Sequence, residues 1–426
     1  MSPATDEVVT SAKPDLLDRT LSGMKPFAER PLLFLLAAIQ FTHITDFMIM
    51  MPLGPQLMRD LGITPAQFGS LVSAYTISAG LVGLAAAPFM DRFDRRALLL
   101  WTYSGFIVGT LACALSHSFA ALLIARAVSG AFGGVSGALV LATASDVVPP
   151  IRRATGLAIV MTAFSVAAAL GVPFGLFLAQ SFEWEAPFYF LVAVAVTIWL
   201  LVLTKMPPVR GHLEHTGATV VREFVDLLRN ANVGRALVFM AMMVFGHFSI
   251  IPLLSPYLVS NVGIRESDLL SVYFVGGALT VFTGPRVGRL ADKHGRHFIF
   301  TCLVLVACAV TLALTNIGRV PLWLVLTLAG MFFVFASGRF GPGLAIMSLA
   351  VHPRQRGAFM SLTACTRDLT SGITTAVGSF LVTKAPTGEL MHYNWLGWIA
   401  VAASLLSLWL ARRVQASETT PMSATA

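Results

Sequence analysis

The side chains able to do chemistry in this sequence are few, and most stand inside long apolar runs. Asp46 and His43 lie one helical turn apart in the first run, Arg126, His247 and Arg339 stand singly in others, and Arg367 and Asp368 are adjacent near the end. A charged side chain in hydrocarbon is costly, so each is a functional candidate. A carboxylate there must take up a proton or find a cation, and a proton carrier switches between those two conditions. Asp46 is therefore the leading proton-carrying candidate, Arg126 its charged partner and Asp368 the next in line. Sequence neighbours do not face each other on a helix, so Arg367 and Asp368 are expected to find different partners or to lie on a bent path. Other chemistries lack their residues. There is no Gly-x-x-x-x-Gly-Lys-[Ser/Thr] loop for a nucleotide and no metal-spaced His/Glu set, and Cys113, Cys302, Cys308 and Cys365 show neither metal-ligand nor disulfide spacing. No enzyme, cofactor or bound metal is expected.

The elements that must position these groups follow from composition. Only 12% of the 426 residues are charged and 56% are hydrophobic, where a soluble domain carries about 25% charged residues. Most of the chain is therefore dissolved in lipid. A bilayer core about 30 Å thick needs roughly 20 apolar residues in helix. Twelve runs satisfy this: 31–57, 66–90, 97–116, 119–147, 154–182, 186–206, 235–260, 268–290, 298–316, 321–350, 356–384 and 393–412. The predicted fold is thus an all-α membrane protein with twelve transmembrane helices. The connections on one side, with both tails, hold 22 of the 29 Lys and Arg residues, so the positive-inside rule places both termini in the cytoplasm. The first thirty residues mix acids and bases without an apolar core and read as a tail, not a secretory signal. The net charge of +8 lies in short clusters between apolar runs, which suits anionic headgroups and not nucleic acid.

Sliding the sequence by 201 residues places Pro55 on Pro256, Gly62-Ile63 on Gly263-Ile264, Asp91 on Asp292, Arg95 on Arg296 and Asp46 on His247. This internal repeat divides the chain into a tail (1–30), a six-helix half (31–206), a linker (207–234), a second six-helix half (235–412) and a second tail (413–426). The linker carries an amphipathic stretch from Val220 to Arg229 that suits the inner membrane surface.

After segment 2 the chain reads Ala87-Pro-Phe-Met-Asp91-Arg92-Phe-Asp94-Arg95-Arg96, and after segment 8 Gly288-Arg-Leu-Ala-Asp292-Lys293-His-Gly295-Arg296-His297. Both resemble the G-x-L-x-D-R-x-G-R-R signature of the major facilitator superfamily, in its two expected places, and the likeness covers nearly the whole chain. The resemblance implies a major facilitator fold with a cytoplasmic latch made by Asp91, Arg92, Arg95, Asp292 and Arg296, with Asp146 as a partner for the basic cluster. Ala87 and Asp94 stand where the family has glycine. Asp tolerates the left-handed backbone better than most residues, so the turn is expected to survive. Arg126-Ala-Val-Ser-Gly130 resembles the R-x-x-x-G motif of proton-coupled members. Leu170-Gly171-Val-Pro173-Phe-Gly175 is similar to an abbreviated antiporter motif, whose Gly171, Pro173 and Gly175 suit a hinge in segment 5. That stretch and Asp46-Phe-Met-Ile-Met-Met-Pro52 look most like the arabinose-efflux and purine-ribonucleoside-efflux branch of the drug:proton antiporters.

The function these features imply is proton-coupled export of small organic or amphipathic compounds by alternating access, from a bacterial inner membrane and by a monomer. Its partners are substrate, protons and lipid. The substrate-site candidates are His43, Asp46, Tyr75, His247, Tyr273, Arg339 and Arg367, with aromatic and methionine neighbours such as Phe47 and Phe248. Two other readings stay open: a sugar or nucleoside facilitator or symporter, and a membrane sensor that kept a transporter scaffold.

Overall fold

The computed structural model describes residues 26–90, 92–149, 152–210, 227, 229–352 and 355–415. Asp91, most of both tails and most of the amphipathic linker stretch lie outside the described residues, and the first helix begins at Pro26, inside the tail read from the sequence.

Among the described residues, twelve helical segments cross the molecule in the order read from the sequence. They are α1 (Pro26–Ile49), α2 (Pro65–Met90), α3 (Arg95–Ala114), α4 (Phe119–Val147), α5 (Arg153–Val166, continuing as Val172–Ser181) and α6 (Ala186–Lys205). Then follow α7 (Ala231–Phe248 and Ile251–Tyr257), α8 (Leu269–His294), α9 (Arg296–Thr315), α10 (Leu322–Gly338 and Phe340–Met347), α11 (Arg356–Leu381) and α12 (Tyr393–Ala411). In lipid a helix satisfies its own backbone groups, which is why apolar runs of this length take no other form. Eleven of these segments are long and apolar enough to span a membrane. The exception is α11, which carries Arg367, Asp368 and a series of Ser and Thr. It is packed against α2 and α7, which shelter those polar groups from lipid. Segment 11 ends at Leu381, three residues short of the limit read from the sequence, and a two-stranded hairpin of β1 (Thr383–Lys384) and β2 (Leu390–Met391) leads into α12.

Several helices break where proline removes an N–H donor. The chain stops after Ile49 and restarts as a short helix, Gly54–Asp60, beyond Pro52. α7 breaks at Ser249 and Ile250 ahead of Pro252, and α10 breaks at Arg339 ahead of Pro342. In α5 a π-helical turn, Ala167–Gly171, precedes Pro173. The repeated Gly62 and Gly263 are both left-handed, with φ of 62° and 82°, so the matched Gly-Ile pairs mark the same turn in each half.

The packing has a direction. Glu29 at the start of α1 pairs with Arg152, and Asn232 at the start of α7 bonds Gln415 beyond α12; this tail end therefore gathers both ends of the described chain. At the opposite, far end one apolar core spans both halves, joining Met51, Phe68 and Phe188 to Leu254, Tyr257 and Tyr393. At the tail end each half keeps its own core, with Leu36, Tyr103 and Val140 in one and Phe239, Phe300 and Phe359 in the other. Close contact follows the same gradient. A Cβ on Gly54 would sit 2.8 Å from Pro256, and one on Gly69 1.8 Å from Ser379 Oγ, whereas the positions for Gly284 and Gly288 near the tail end of α8 meet nothing within 4 Å. Arg59 also bonds Glu266 across the far end, and Gln180 donates to the Glu266 carbonyl at 2.8 Å. The halves are closed at the far end and parted at the tail end, with a cleft between them.

Asp94 departs from expectation. It does not adopt the left-handed backbone; its φ is −55° and it caps α3, accepting from the Arg96 and Ala97 N–H groups, while Gly295 at the repeated position has φ of 93°. Its side chain also accepts from Arg210 at 2.8 Å. Aspartate thus replaces glycine here by changing the turn, since a carboxylate is a strong N-cap. Burial works to raise the Asp94 pKa, but the Arg210 and backbone hydrogen bonds together with the Arg210 charge hold it below the ordinary value of 3.8. A depressed folded pKa means stabilisation that is present above the ordinary carboxylate value and lost as pH falls through the folded one. Asp94→Ala should cost about 1 kcal/mol at neutral pH. Thermal unfolding in detergent should show the gap from wild type closing as pH drops below 4; a gap that is constant with pH would remove the ionised cap from this account.

Candidate functional site

Asp46 stands in the last turn of α1, just before the break that follows Ile49. It is fully buried, as is Arg126 on α4, and Arg126 Nη1 donates to Asp46 Oδ2 at 2.8 Å. The same nitrogen reaches the Asp46 carbonyl at 3.3 Å, and Thr110 Oγ1 on α3 donates to Oδ1 at 3.4 Å. The guanidinium lies over the Tyr75 ring of α2, 4.5 Å from its centroid, and Tyr75 Oη donates to the His43 carbonyl at 3.2 Å. Four helices of the first half therefore converge on one ion pair. Arg126 Nε and Nη2 have no hydrogen-bond partner, so its charge rests on a single carboxylate and an aromatic face. Such a pair is sensitive to protonation, because a neutral Asp46 would leave the cation with only the ring and one carbonyl.

The pair adjoins the seam between the halves. Phe47 of α1 contacts Phe248 of α7 with ring centroids 6.0 Å apart, and it stacks on Tyr75 at 5.6 Å. Phe248 is Phe47 displaced by the repeat, so two equivalent residues meet where the halves touch. Sequence reasoning named both only among general aromatic neighbours; the 201-residue shift contained the signal for their pairing. Thr110 had no such signal and was missed.

Arg367 and Asp368 bond to each other, Nε to Oδ1 at 2.9 Å, contrary to the expectation of separate partners. The arginine side chain is long enough to fold back along the helix. In the middle of a helix packed by protein on two sides, 47% of the Arg367 side chain is exposed, which places it in the cleft.

The remaining substrate-site candidates are sealed in this conformation. His247 stacks on Phe332 with centroids 5.6 Å apart. Arg339 is 1% exposed and donates to Ser404 Oγ at 2.7 Å and the Met243 carbonyl at 3.0 Å. Tyr273 is buried beside Ser255, its hydroxyl 2.8 Å from Oγ. The structure brings Asp46, Arg126, Tyr75 and His43 together, with Arg367 and Asp368 across the cleft; it does not bring Tyr273 or Arg339 to them.

Of the latch residues, Arg95 and Asp146 meet, Nε to Oδ2 at 2.9 Å, and Arg95 also donates to the Met90 carbonyl. Arg92 is exposed over the Phe89 ring. In the second copy Asp292 is exposed and Arg296 donates to the Ala345 carbonyl at 3.4 Å. The hinge residues of α5 lie against α1: a Cβ on Gly171 would sit 2.6 Å from Thr45 Oγ1, and one on Gly175 2.8 Å from Ile49. Gly277 of α8 is equally close to the π-helical turn, its Cβ position 2.3 Å from the Ala168 carbonyl. The π-helical turn of α5 is thus wedged between the α1 segment around Asp46 and the opposite half. Among the described residues no three His, Cys, Asp or Glu side chains gather to hold a metal ion.

Removing Arg126 alone strands a buried carboxylate, so Arg126→Ala should destabilise the protein by about 3–5 kcal/mol, while Asp46→Leu combined with Arg126→Met should recover most of that loss. Thermal unfolding of the three proteins in detergent decides it; an unchanged midpoint for Arg126→Ala would mean the pair carries no structural weight.

Residues 36–375 match the family model of the Major Facilitator Superfamily. Among curated relatives, the "Uncharacterized MFS-type transporter YceJ" of Bacillus subtilis (strain 168) is 26% identical over 82% of this chain and 88% of its own. A "Probable sugar efflux transporter" of Helicobacter pylori (strain P12) is 25% identical over 89% of this chain and 94% of its own. Among solved structures, a D-xylose-proton symporter superposes with a TM-score of 0.73 at 14% identity, covering 90% of this chain and 97% of that one. A bacterial homologue of the human lysosomal transporter Spinster, inward-facing and occupied, gives 0.72 at 16% identity, covering 92% and 98%. With twelve helical segments among the described residues, a cleft between two packed halves and a family match over most of its length, the chain belongs to the major facilitator superfamily and is a multi-pass membrane transporter, not an enzyme.

Proposed function

We propose that this transporter is a proton-coupled exporter that moves small organic compounds out of the cytoplasm across a bacterial inner membrane, and that Asp46 carries the proton. The observation that carries the reading is the fully buried Asp46–Arg126 pair placed beside the Phe47–Phe248 contact between the halves. With the tail end in the cytoplasm, as the Lys and Arg distribution supports, the cleft opens inward. Substrate enters there while Asp46 is ionised and paired. After the cleft closes and the far end opens, a proton from outside neutralises Asp46, Arg126 loses its partner and substrate leaves. Proton loss to the cytoplasm restores the pair. Arg59 with Glu266 forms the outer closure in the inward-open state. Asp91, Arg92, Asp292 and Arg296 belong to the latch of the opposite state, Arg95 and Asp146 are already paired within the first half in this one, and Gly171, Pro173 and Gly175 let α5 bend between the two.

The charged pair Arg367–Asp368 in the cleft, with the aromatic faces of Phe47, Tyr75 and Phe248 nearby, suits a hydroxylated ring compound that offers hydrogen bonds at its edge and an apolar face. Sugars fit that description, and relatives bear sugar-efflux names. Amphipathic drug-like compounds are the second reading, favoured by the aromatic content of the same wall. The transporter is read as a monomer held by lipid contacts.

Inverted membrane vesicles loaded with a panel of radiolabelled pentoses, hexoses and nucleosides, and with amphipathic cations as the alternative class, test this. At least one compound should accumulate inside only when the interior is acidic, and Asp46→Asn should abolish that accumulation while retaining downhill exchange. Uphill accumulation by Asp46→Asn would take the proton from Asp46 and leave Asp368 as the carrier.

A further inference from the structure

Two arginines stand where no acidic side chain answers them. Arg286 and Arg289 lie in the tail half of α8, both exposed, and among the described residues neither forms an ion pair. Arg286 Nη1 donates to the Phe282 carbonyl at 2.7 Å and Arg289 Nε to the Pro285 carbonyl at 3.4 Å, both on their own helix. α8 has 26 residues, roughly 39 Å at 1.5 Å each, against a hydrocarbon core of about 30 Å. Arg289, five residues from the tail end of α8, therefore lies close to the boundary between hydrocarbon and headgroups, and Arg286 roughly 4.5 Å deeper. A cation at that depth needs an anion.

The face that carries them points to lipid and not to the cleft. Gly277 turns toward the other half, its Cβ position 2.3 Å from the Ala168 carbonyl of α5. Arg286 follows nine residues later, about two and a half turns, and so stands on the opposite side of the helix. Leu279, Arg286 and Lys293 recur every seven residues, nearly two turns, in one row, and Phe282 and Arg289 form the row beside it. Phe282 is 64% exposed. Farther from the tail end the same face opens into a groove of about 380 Å³ between α8 and α10, lined by Val275, Leu279, Leu326, Gly330 and Val334. The Thr327 hydroxyl in its wall donates to the Trp323 carbonyl at 2.8 Å, so the groove suits hydrocarbon. A Cβ on Gly330 would sit 3.0 Å from Leu279; the glycine gives the groove its depth.

We infer that this face of α8 and α10 binds one anionic phospholipid of the tail-side leaflet, with its phosphate on Arg286 and Arg289 and an acyl chain running past Phe282 into the groove beside Gly330. The lengths agree. From Arg289 back to Leu279 is ten residues, roughly 15 Å, which is the depth of one leaflet. A guanidinium suits a phosphate, because its planar fork donates two parallel hydrogen bonds. The arginine stems cover apolar surface while their heads reach the interface. A zwitterionic lipid would set its own cation against the same two charges, so an anionic headgroup is preferred. The occupant also braces α8, whose Cβ positions at Gly284 and Gly288, on the Gly277 side, meet nothing within 4 Å. Nothing in this site depends on which group carries the proton or on what is transported.

Native mass spectrometry of the purified full chain, titrated with phosphatidylglycerol or with phosphatidylcholine of identical chains, tests the site. Wild type should hold one phosphatidylglycerol more tightly than phosphatidylcholine. Arg286→Gln combined with Arg289→Gln should weaken phosphatidylglycerol by about thirtyfold, the worth of two cationic contacts, and leave phosphatidylcholine where it was. Leu279→Trp fills the groove and keeps both arginines. It should weaken both lipids by about tenfold, the equivalent of two methylenes kept out, an effect that binding of a free phosphate would not show. Arg412→Gln combined with Arg413→Gln removes an exposed basic pair at the tail end of α12 and should change neither lipid. Equal retention of the two lipids by wild type would overturn the site, as would unchanged phosphatidylglycerol binding in the Arg286 and Arg289 variant or wild-type binding by Leu279→Trp. An equal loss in the α12 variant would also overturn it, by reducing the effect to general attraction between a basic surface and an acidic lipid.

Discussion

A carboxylate and a guanidinium buried together in hydrocarbon constrain everything around them. Neither Asp46 nor Arg126 could stay ionised there alone, and their attraction alone does not repay the loss of water. The pair is bearable because α3 and α2 bring Thr110 and the Tyr75 face to it, and because lipid is held off by the rest of the first half. The arrangement is under-satisfied, with two of the three Arg126 nitrogens lacking partners. A fully satisfied network would resist change. One held by a single carboxylate can be undone by one proton, and it adjoins the hinge through Thr45 and Gly171 and the opposite half through Phe47 and Phe248.

The two halves have diverged around this point. His247 stands where the repeat places Asp46, and it stacks on Phe332 in place of meeting an acid. Arg339 is buried nearby, held by Ser404 and a backbone carbonyl. Among the described residues the ion pair of the first half has no counterpart in the second, and the second half instead presents Arg367 and Asp368 to the cleft. Duplication supplied a symmetric frame; the charge that a proton can alter lies on one side of it, and an exposed charge pair lies on the other.

Much of the frame was legible in the sequence. Run length fixed the helices, including α11, whose polar residues lower its hydropathy but whose place in the repeat requires a sixth helix. Asp46 and Arg126 could be paired from topology, because α1 runs from the tail end and α4 toward it, so both reach the same depth. What was not legible depended on tertiary packing. Arg367 folded back onto its neighbour, a contact that helix spacing alone does not suggest. Asp94 took up a capping role that its glycine-based motif did not suggest, since a carboxylate can satisfy two backbone N–H groups that a glycine leaves to the turn. The open end of the cleft could not be read either: one sequence must allow both ends to open, and the Arg59–Glu266 contact across the far end is formed by residues that look like ordinary loop charges.

On the proposed cycle, Asp46 is the titrating group through which pH acts on the balance between the two open states. The most direct measurement is the distance between spin labels at Phe89 and Met360, exposed positions toward the tail ends of α2 and α11, in a cysteine-free background and as a function of pH. The account predicts a tail-end distance distribution that changes with pH in the wild-type background and is fixed at the low-pH distribution at every pH in Asp46→Asn. An Asp46→Asn protein whose distances still follow pH as the wild type does would contradict it.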